Sequence, residues 1–421
     1  MGIEKPQRRP SPPPPPQAVE TSTSLVLGDD DLLREILLHV GLLTSLLRGA
    51  LVCRRWCRHA SDPAFLRRFR ARNPPRVVGV YLASAPGPGP PPRPRFLPIH
   101  PLPELAAAAA RRAAAFFDAF EGSSASILDS RGGRLLVSAF DDRYESTQFV
   151  CSPMSPAGHT VVVPPPPPPP PIQLTSDEEC LIYHYGEFLP DDAGDGDGRS
   201  YFSVVMGYSE QQTTVHLYEL QDMSWIFRAS AAAQLPVSPP KSRVMLFDNT
   251  KFYMLSSINK ILVCDFPSSS ISPMELPNGV ENEHNGCIML SRGENSEIYL
   301  IYVKGSQLRI FLCRTAGDNS GNWFLVDTIC LREVSANVGM KAWPPLDGQS
   351  TSVKIRAVGD NASFVFLDMF GTIVFLDVTS KQAEKVYEMS PEDKELVSVR
   401  PLMTIWPPVF PVLKEGHAQI D

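Results

Sequence analysis

Few residue patterns in this sequence could carry out chemistry. It contains no glycine-rich phosphate loop, no Gly-x-Ser-x-Gly nucleophile elbow and no His-Glu-x-x-His pair. Four carboxylates, Asp248, Asp265, Asp368 and Asp377, follow apolar stretches and could gather around a central channel as an acidic catalytic group. An aspartate at a strand end is more often a turn residue, because its side chain accepts hydrogen bonds from nearby backbone. We therefore predict turn residues here, and no catalytic or cofactor-binding residues.

The candidate metal ligands are equally sparse. Cys53 and Cys57 stand one helical turn apart with His59 nearby, but zinc needs a second ligand pair at a compatible spacing, and none is evident. The acidic residues 191–198 resemble a calcium loop, yet the twelfth position, where an EF-hand has glutamate, is Phe202 or Met206. The sequence predicts no metal site and an acidic hairpin tip. The eight cysteines follow no disulfide spacing, which favours reduced thiols in a cytoplasmic or nuclear protein.

Residues 27–72 have the most informative pattern of the chain. Asp29, Asp30 and Asp31 precede an apolar run, as expected of residues that cap a helix and oppose its dipole. Further apolar sets and a break at Pro63 predict three helices in this stretch, with Gly41 ending the first. Three such short helices cannot bury so many large apolar side chains among themselves, so part of this surface needs a partner. An ordinary helical segment packed on its own chain is the alternative.

This stretch resembles an F-box, the three-helix module by which substrate adaptors dock on the Skp linker of cullin–RING ubiquitin ligases. The resemblance rests on DDLLREILLHV followed by SLLRGALVCRRWCRHASDPAFLRRF, with LVCRRW the most specific part. Gly28 and Gly41 stand where F-boxes commonly have proline. The rest of the chain resembles, more weakly, the β-rich region of large plant F-box families, particularly those of grasses. The resemblance implies docking on the linker, and through it on cullin, by Leu32, Leu33, Ile36, Leu37, Leu51, Val52, Cys53 and Trp56.

Charge divides the chain into two parts. The net charge is −7, but residues 1–76 hold 13 basic and 7 acidic side chains, so the remainder is strongly acidic. The arginines between Arg54 and Arg72 lack interleaved aromatic residues for stacking on bases, and they match no nucleic-acid motif. This pattern favours a solvated helix face. No apolar run of about 18 residues is present that could span a bilayer.

From residue 127 onward the sequence changes to short β segments separated by turns. Five modules, most of them with four strands rich in Val, Ile, Phe, Tyr and Leu, can be aligned. Their second strands begin near residues 135, 203, 252, 298 and 363, a spacing typical of propeller blades. Residues 77–82 and 397–405 could pair to complete a sixth blade from both chain ends. An irregular β-sandwich or two smaller β domains is the alternative.

These observations predict an α+β multidomain chain with a three-helix module followed by an all-β domain, a propeller of five or six blades. The predicted divisions are a disordered proline-rich tail (1–24), the F-box-like helices (25–72), and a connector with a short strand and an alanine-rich helix (73–126). A propeller-like target-binding domain (127–412) and a C-terminal tail (413–421) follow. The expected function is that of a non-catalytic adaptor that holds an unknown target protein. A small-molecule or glycan-binding propeller and a propeller hydrolase remain alternatives.

Overall fold

The structure, a computed structural model, describes most of the chain. The described residues are 27–84, 93–99, 104–120, 124–140, 146–154, 160–165, 181–188, 201–208, 212–234, 245–248, 250–256, 260–282, 285–294, 296–314, 322–340, 343, 353–390, 396–404, 408 and 410. The predicted tails, residues 166–171 of the second proline run, and the acidic stretch 191–198 lie outside them. The described residues divide into two compact units. The first comprises the described residues up to Pro74 together with Pro408 and Phe410, and the second comprises those between Pro75 and Pro407.

The first unit is helical. Its helices are α1 (Asp30–Leu38), α2 (Leu43–Ala50), α3 (Arg54–Ala60) and α4 (Pro63–Arg72). Between Asp30 and Arg72, four helices therefore replace the three predicted, because the second apolar stretch is interrupted at Cys53, whose backbone is extended (φ −162°, ψ 168°). An extended residue cannot continue an α-helical hydrogen-bond ladder, so α3 starts anew after it.

Side-chain caps define the starts of two helices, and the first of these caps was predicted. The Asp29 carboxylate accepts hydrogen bonds from the backbone N–H groups of Asp31 and Leu32, at 2.8 and 3.0 Å, at the start of α1. Asp62 caps α4 in the same way through Phe65 N–H at 2.8 Å, with Pro63 in the first turn. Gly41 follows α1 with a φ of +67°, a conformation that glycine adopts without strain.

The second unit consists mainly of antiparallel strands. Those up to the middle of the chain are β1 (Val77–Ser84), β2 (Arg95–Pro98), β3 (Ser124–Arg131), β4 (Arg134–Phe140), β5 (Ser146–Cys151), β6 (Thr160–Val163), β7 (Leu181–Phe188), β8 (Tyr201–Tyr208), β9 (Thr213–Gln221) and β10 (Ser224–Ala233). Those that follow are β11 (Met245–Asp248), β12 (Lys251–Leu255), β13 (Lys260–Asp265), β14 (Ser270–Glu275), β15 (Ile288–Arg292), β16 (Glu297–Lys304), β17 (Gln307–Arg314), β18 (Trp323–Cys330), β19 (Lys354–Val358), β20 (Phe364–Met369), β21 (Thr372–Asp377), β22 (Ala383–Glu388) and β23 (Leu396–Met403).

The strands pair as successive four-stranded meanders. Separate sheets are formed by β3–β6, β15–β18 and β19–β22, each in chain order. The meanders β7–β10 and β11–β14 form one eight-stranded sheet, because β10 and β14 are bridged in parallel at a single pair, Ala232 and Ser270. The predicted modules correspond to these five meanders, whose second strands begin at residues 134, 201, 251, 297 and 364, close to the predicted starts.

The two ends of the β unit form one further sheet, which we call the closing sheet. Its order is β2-β1-β23, and β1 pairs antiparallel with β23 from Val77 opposite Met403 to Ser84 opposite Leu396. The predicted pairing between the first and last strands is therefore confirmed. Gly79 lets β2 approach closely, since a Cβ there would lie 2.5 Å from the Leu97 carbonyl oxygen.

Contacts between neighbouring sheets are cyclic. Edge strands contact one another in the series β11, β15, β19, β23, β3 and β7, and the meanders that begin with β7 and β11 are joined through β10 and β14. Side chains reinforce these contacts, as when Arg400 Nε donates to the Ile127 carbonyl at 3.3 Å and Ser291 Oγ donates to the Gly359 carbonyl at 2.6 Å. Apolar side chains fill the space between sheets, and three buried clusters each draw on at least two sheets.

Two helices accompany the sheets. Helix α5 (Glu104–Ala115), the predicted alanine-rich helix, continues into a 3-10 turn at Phe116–Ala119 and packs on the closing sheet. Phe117 is buried beside Tyr81, whose hydroxyl donates to the Ala113 carbonyl at 2.8 Å. Helix α6 (Leu331–Asn337), which the sequence pattern did not predict, follows β18. Residues 73–126, assigned above to a connector, thus contribute β1, β2 and α5 to the β unit.

Candidate functional site

The turn between α2 and α3 exposes two large aliphatic side chains. Leu51 is 68% exposed and Val52 is 65% exposed. Helix α2 ends at Ala50, and the extended Cys53, also exposed, turns the chain into α3. Adjacent aliphatic side chains this open to water are a sign of an interaction surface, because their burial by a partner is favourable.

Helix α1 adds a second exposed apolar row. Leu32 is 47% exposed and Ile36 is 39% exposed, and one helical turn separates them. Leu33 and Leu37, also predicted to contact the partner, form a parallel row that is 0% and 1% exposed, so in the free chain they are packed inside the helical unit. Both rows have the same four-residue spacing, and the structure turns only one of them outward. Trp56 is half-buried.

Gly49 contributes to this packing in a way that the sequence analysis missed. A Cβ at Gly49 would lie 3.2 Å from Leu37 Cδ2 and 3.6 Å from Trp56 Cε3, so both side chains pack against its backbone. A glycine inside a helix costs about 1 kcal/mol relative to alanine, which makes its presence in α2 a signal of close packing. The buried rows of the helical unit therefore position the exposed ones.

Asp30 ties the start of α1 to α3. Its Oδ1 accepts from Arg55 Nε at 2.7 Å and lies 3.0 Å from His59 Nε2. Arg55 also donates to the carbonyl oxygens of Leu27 and Gly28, at 2.6 and 2.7 Å. The hydrogen bonds from Arg55 and then His59 hold the pKa of Asp30 below its ordinary value. These partners are 25 or more residues apart in the chain, which is why local patterns did not reveal them.

Replacing Asp30 with asparagine is expected to lower the unfolding temperature of the helical unit at pH 7. A depressed carboxyl pKa stabilises the fold above the ordinary value of 3.8, and this stabilisation is lost as the pH falls through the lowered value. The difference between variant and wild type should therefore shrink as the pH falls below that range. Thermal unfolding measured at pH values from 7 to 3 tests this effect, and hydrogen exchange of the α1 and α3 amides shows whether it is located in these two helices.

The control for this prediction is Asp31→Asn. The Asp31 side chain is 92% exposed and its ion pair with Arg34 spans 3.7 Å, so this change should leave the unfolding temperature nearly unaltered. Equal effects of the two variants at pH 7 would show that the contacts of Asp30 do not hold the two helices together.

The carboxylates considered for catalysis serve turns in the β unit. Asp265 accepts from Ser268 N–H at 3.2 Å, Asp368 from Gly371 N–H at 3.1 Å, and Asp377 from Ser380 N–H at 2.7 Å. Asp368 is also paired with Arg356, at 2.6 Å. The turn interpretation is confirmed for these three residues, and the side chain of Asp248 is not among those described.

The described cysteines are free thiols, and several are deeply buried. Burial raises the pKa of Cys151 and of Cys264 to about 12 and that of Cys313 to about 11, which keeps these thiols protonated and unreactive. Within the described ranges, no group of three or more His, Cys, Asp or Glu side chains is arranged to hold a metal ion. No described helix combines the length and apolar character needed to cross a membrane.

The β unit also exposes apolar side chains on its outer strands. Phe324, Leu325 and Val326 of β18 are each more than half exposed, as is Phe227 of β10. A cavity of about 310 Å³ lies at the edge of β5 and β6, lined in part by Gln148, Val162 and Pro164. The described residues that line this cavity are hydroxyl, amide and apolar side chains.

The four-stranded meanders and their cyclic contacts define a β-propeller preceded by helices. A family model described as "F-box protein AT5G49610-like, beta-propeller" matches residues 126–410. The chain therefore belongs to this F-box protein β-propeller family. No curated protein matches the chain.

Solved structures resemble the chain only distantly. A prolyl endopeptidase structure is similar at 13% identity with a TM-score of 0.29, over 68% of this chain, and the chain spans only 39% of its length. YCF48 bound to a D1 peptide is similar at 9% identity with a TM-score of 0.30, over 74% of this chain and 82% of that one. The Aleuria aurantia lectin is similar at 12% identity with a TM-score of 0.25, over 68% and 80% of the two chains.

Proposed function

We propose that this protein is the substrate-recognition adaptor of a Skp–cullin–F-box ubiquitin ligase. Its helical unit docks on a Skp-type linker, and through it on cullin, while the β unit binds a target protein. The observation that carries the proposal is the open Leu51-Val52 turn at the end of α2, in a chain of an F-box protein family.

The docking surface comprises the exposed or half-buried members of the predicted set. These are Leu32, Ile36, Leu51, Val52, Cys53 and Trp56. Complete burial of one large aliphatic side chain contributes about 1.5–3 kcal/mol. Several such side chains on one partner are enough for a stable interface, provided that they are buried together.

The β unit supplies the target-binding surface in this proposal. In this proposal the five four-stranded meanders and the closing sheet are the six blades of one propeller, with the sixth formed from both ends of the β unit. Target binding then raises the local concentration of a target lysine near a charged conjugating enzyme, so transfer is a proximity effect. The protein itself is non-catalytic, in line with the turn roles of its strand-end aspartates.

The setting proposed for this protein is the cytoplasm, the nucleus or both, in a plant cell. The free, partly buried cysteines support a reducing compartment. The target protein has to be identified by experiment, because binding specificity depends on the shape of the loops of the β unit.

The test is affinity purification of the full chain from plant tissue, followed by reconstitution with a purified Skp-type linker. We expect the linker and cullin to co-purify with the wild-type chain and to be lost when the Leu51-Val52 turn is changed. Proteins retained by both forms are target candidates. A wild-type chain that binds no Skp-type linker in the reconstitution would refute the proposal.

A further inference from the structure

The helical unit carries an unusually one-sided charge. Between Leu42 and Pro74 there are eight arginines and a single acidic residue, Asp62. Asp62 is engaged as the cap of α4, with its carboxylate on Phe65 N–H at 2.8 Å. The segment that contains the exposed Leu51-Val52 turn is therefore almost purely cationic.

Only part of this charge is neutralised within the unit. Helix α1 supplies two carboxylates, of which Asp30 pairs with Arg55 and Glu35 pairs with Arg68, at 2.6 and 2.7 Å. Of the other two acidic residues there, Asp29 caps α1, and Asp31 pairs with Arg34 of the same helix. Positive charge is thus left over on α2, α3 and α4.

Three arginines carry this excess. Arg48, Arg58 and Arg67 are exposed, and none of them forms an ion pair with a residue that the structure describes. Arg48 lies on the last turn of α2, where its carbonyl oxygen accepts from Leu51 N–H at 3.2 Å. Arg58 lies on the last turn of α3, which starts directly after the exposed turn. Cationic side chains thus occur on both helices that the apolar turn connects.

We propose that the partner docked at this turn is an acidic protein surface, with carboxylates surrounding an apolar centre. This inference rests on the proposed function, and it specifies the chemistry that the Skp-type linker must present. Exposed charges at the rim of an interface accelerate encounter by attraction and change dissociation little. The arginines therefore set the association rate, and the apolar turn sets the lifetime of the complex.

A nucleic acid fits this surface less well. Recognition of single strands relies on exposed aromatic side chains that stack on bases. Phe65 and Phe69 are 3% and 1% exposed and stack on one another, and Trp56 is half-buried. A charged phosphate backbone also offers no apolar surface to bury the exposed Leu51 and Val52 side chains, whereas a protein surface can cover them.

The test measures association of the full chain with the immobilised linker in 50 and 300 mM NaCl. For Arg48→Glu/Arg58→Glu we expect an association rate about tenfold lower than wild type at low salt, a weaker salt dependence, and a dissociation rate changed by less than about twofold. The matched control is Arg111→Glu/Arg332→Glu, which makes the same charge change at exposed arginines on α5 and α6 and should bind as wild type.

Two further variants keep the outcome interpretable. Arg48→Gln/Arg58→Gln avoids acidic residues at helix C-terminal turns and should give an intermediate association rate. Leu51→Asp should abolish binding whatever the salt concentration. Loss of binding in Leu51→Asp with unchanged kinetics in both arginine variants would overturn the acidic-surface proposal and leave the adaptor function intact.

Two other results would also overturn it. A wild-type chain that binds no linker would remove the adaptor function and this inference together. Salt-sensitive binding to a 20-base-pair DNA duplex that is lost in the Arg48→Glu/Arg58→Glu variant, with linker kinetics unaltered, would assign the arginines to a nucleic acid.

Discussion

Replacing Leu51 with aspartate is expected to weaken binding to a Skp-type linker by about 100-fold, which corresponds to roughly 3 kcal/mol. Leu51 is 68% exposed in the free chain, so the change removes little from its own fold. In the complex it forfeits the burial of a leucine and places a carboxylate against an apolar pocket. Isothermal titration calorimetry with the purified linker measures the loss, and circular dichroism verifies that the chain stays folded.

The control for this prediction is Phe324→Asp. Phe324 is 55% exposed on β18 of the β unit, so it introduces the same charge at a comparably open apolar position. We expect it to bind the linker as wild type does. Leu33→Ala serves as a contrast, because Leu33 is 0% exposed and its loss should lower stability before it affects docking. Equal linker affinity of Leu51→Asp and wild type would place the docking surface elsewhere.

Replacing Leu402 with alanine is expected to reduce the free energy of unfolding of the β unit by about 2–5 kcal/mol. Leu402 lies on β23, is 0% exposed and stands opposite Gly79 of β1. It belongs to the buried cluster that includes Tyr81, Phe96 and Phe117, so its removal leaves a cavity between the closing sheet and α5. Urea unfolding of the full chain gives the change in stability.

Hydrogen exchange distinguishes a specific role of Leu402 in holding the closing sheet together from a general contribution to core packing. In Leu402→Ala the amides of β1 and β2 should exchange faster than those of other strands, because β1 loses support from β23. Leu300→Ala, at a 0% exposed position of β16, should cost a similar free energy but speed exchange in β15–β18 instead. An unchanged urea midpoint for Leu402→Ala would show that β23 does not hold the closing sheet together.

Much of the β unit could be predicted from the sequence because its strands are short, apolar and separated by turn residues. The segments KFYML, KILVCD and SFVFLDM, for example, each lie within or closely around an observed strand. Asp29 as the cap of α1 was likewise predictable, since capping depends on residues only two or three positions away.

The details of the proposed docking surface could not be predicted in the same way. Leu32 with Ile36 and Leu33 with Leu37 have identical spacing, so periodicity alone does not say which row faces inward. The choice depends on the neighbouring helices, where Leu37 packs on Gly49. The break at Cys53 has no proline or glycine to signal it, and the contact of Asp30 with Arg55 joins residues that only the folded chain brings together.

The pairing of β1 with β23 has a consequence for synthesis of the protein. The ribosome makes β1 long before its partner strand, with the whole series of meanders between Ser84 and Leu396. At about 5–20 residues per second, translation of that interval takes roughly 15–60 s. During this time β1 leaves the ribosome with one edge unoccupied, so nascent chains of this protein are expected to depend on chaperones that shield exposed strands until translation is complete.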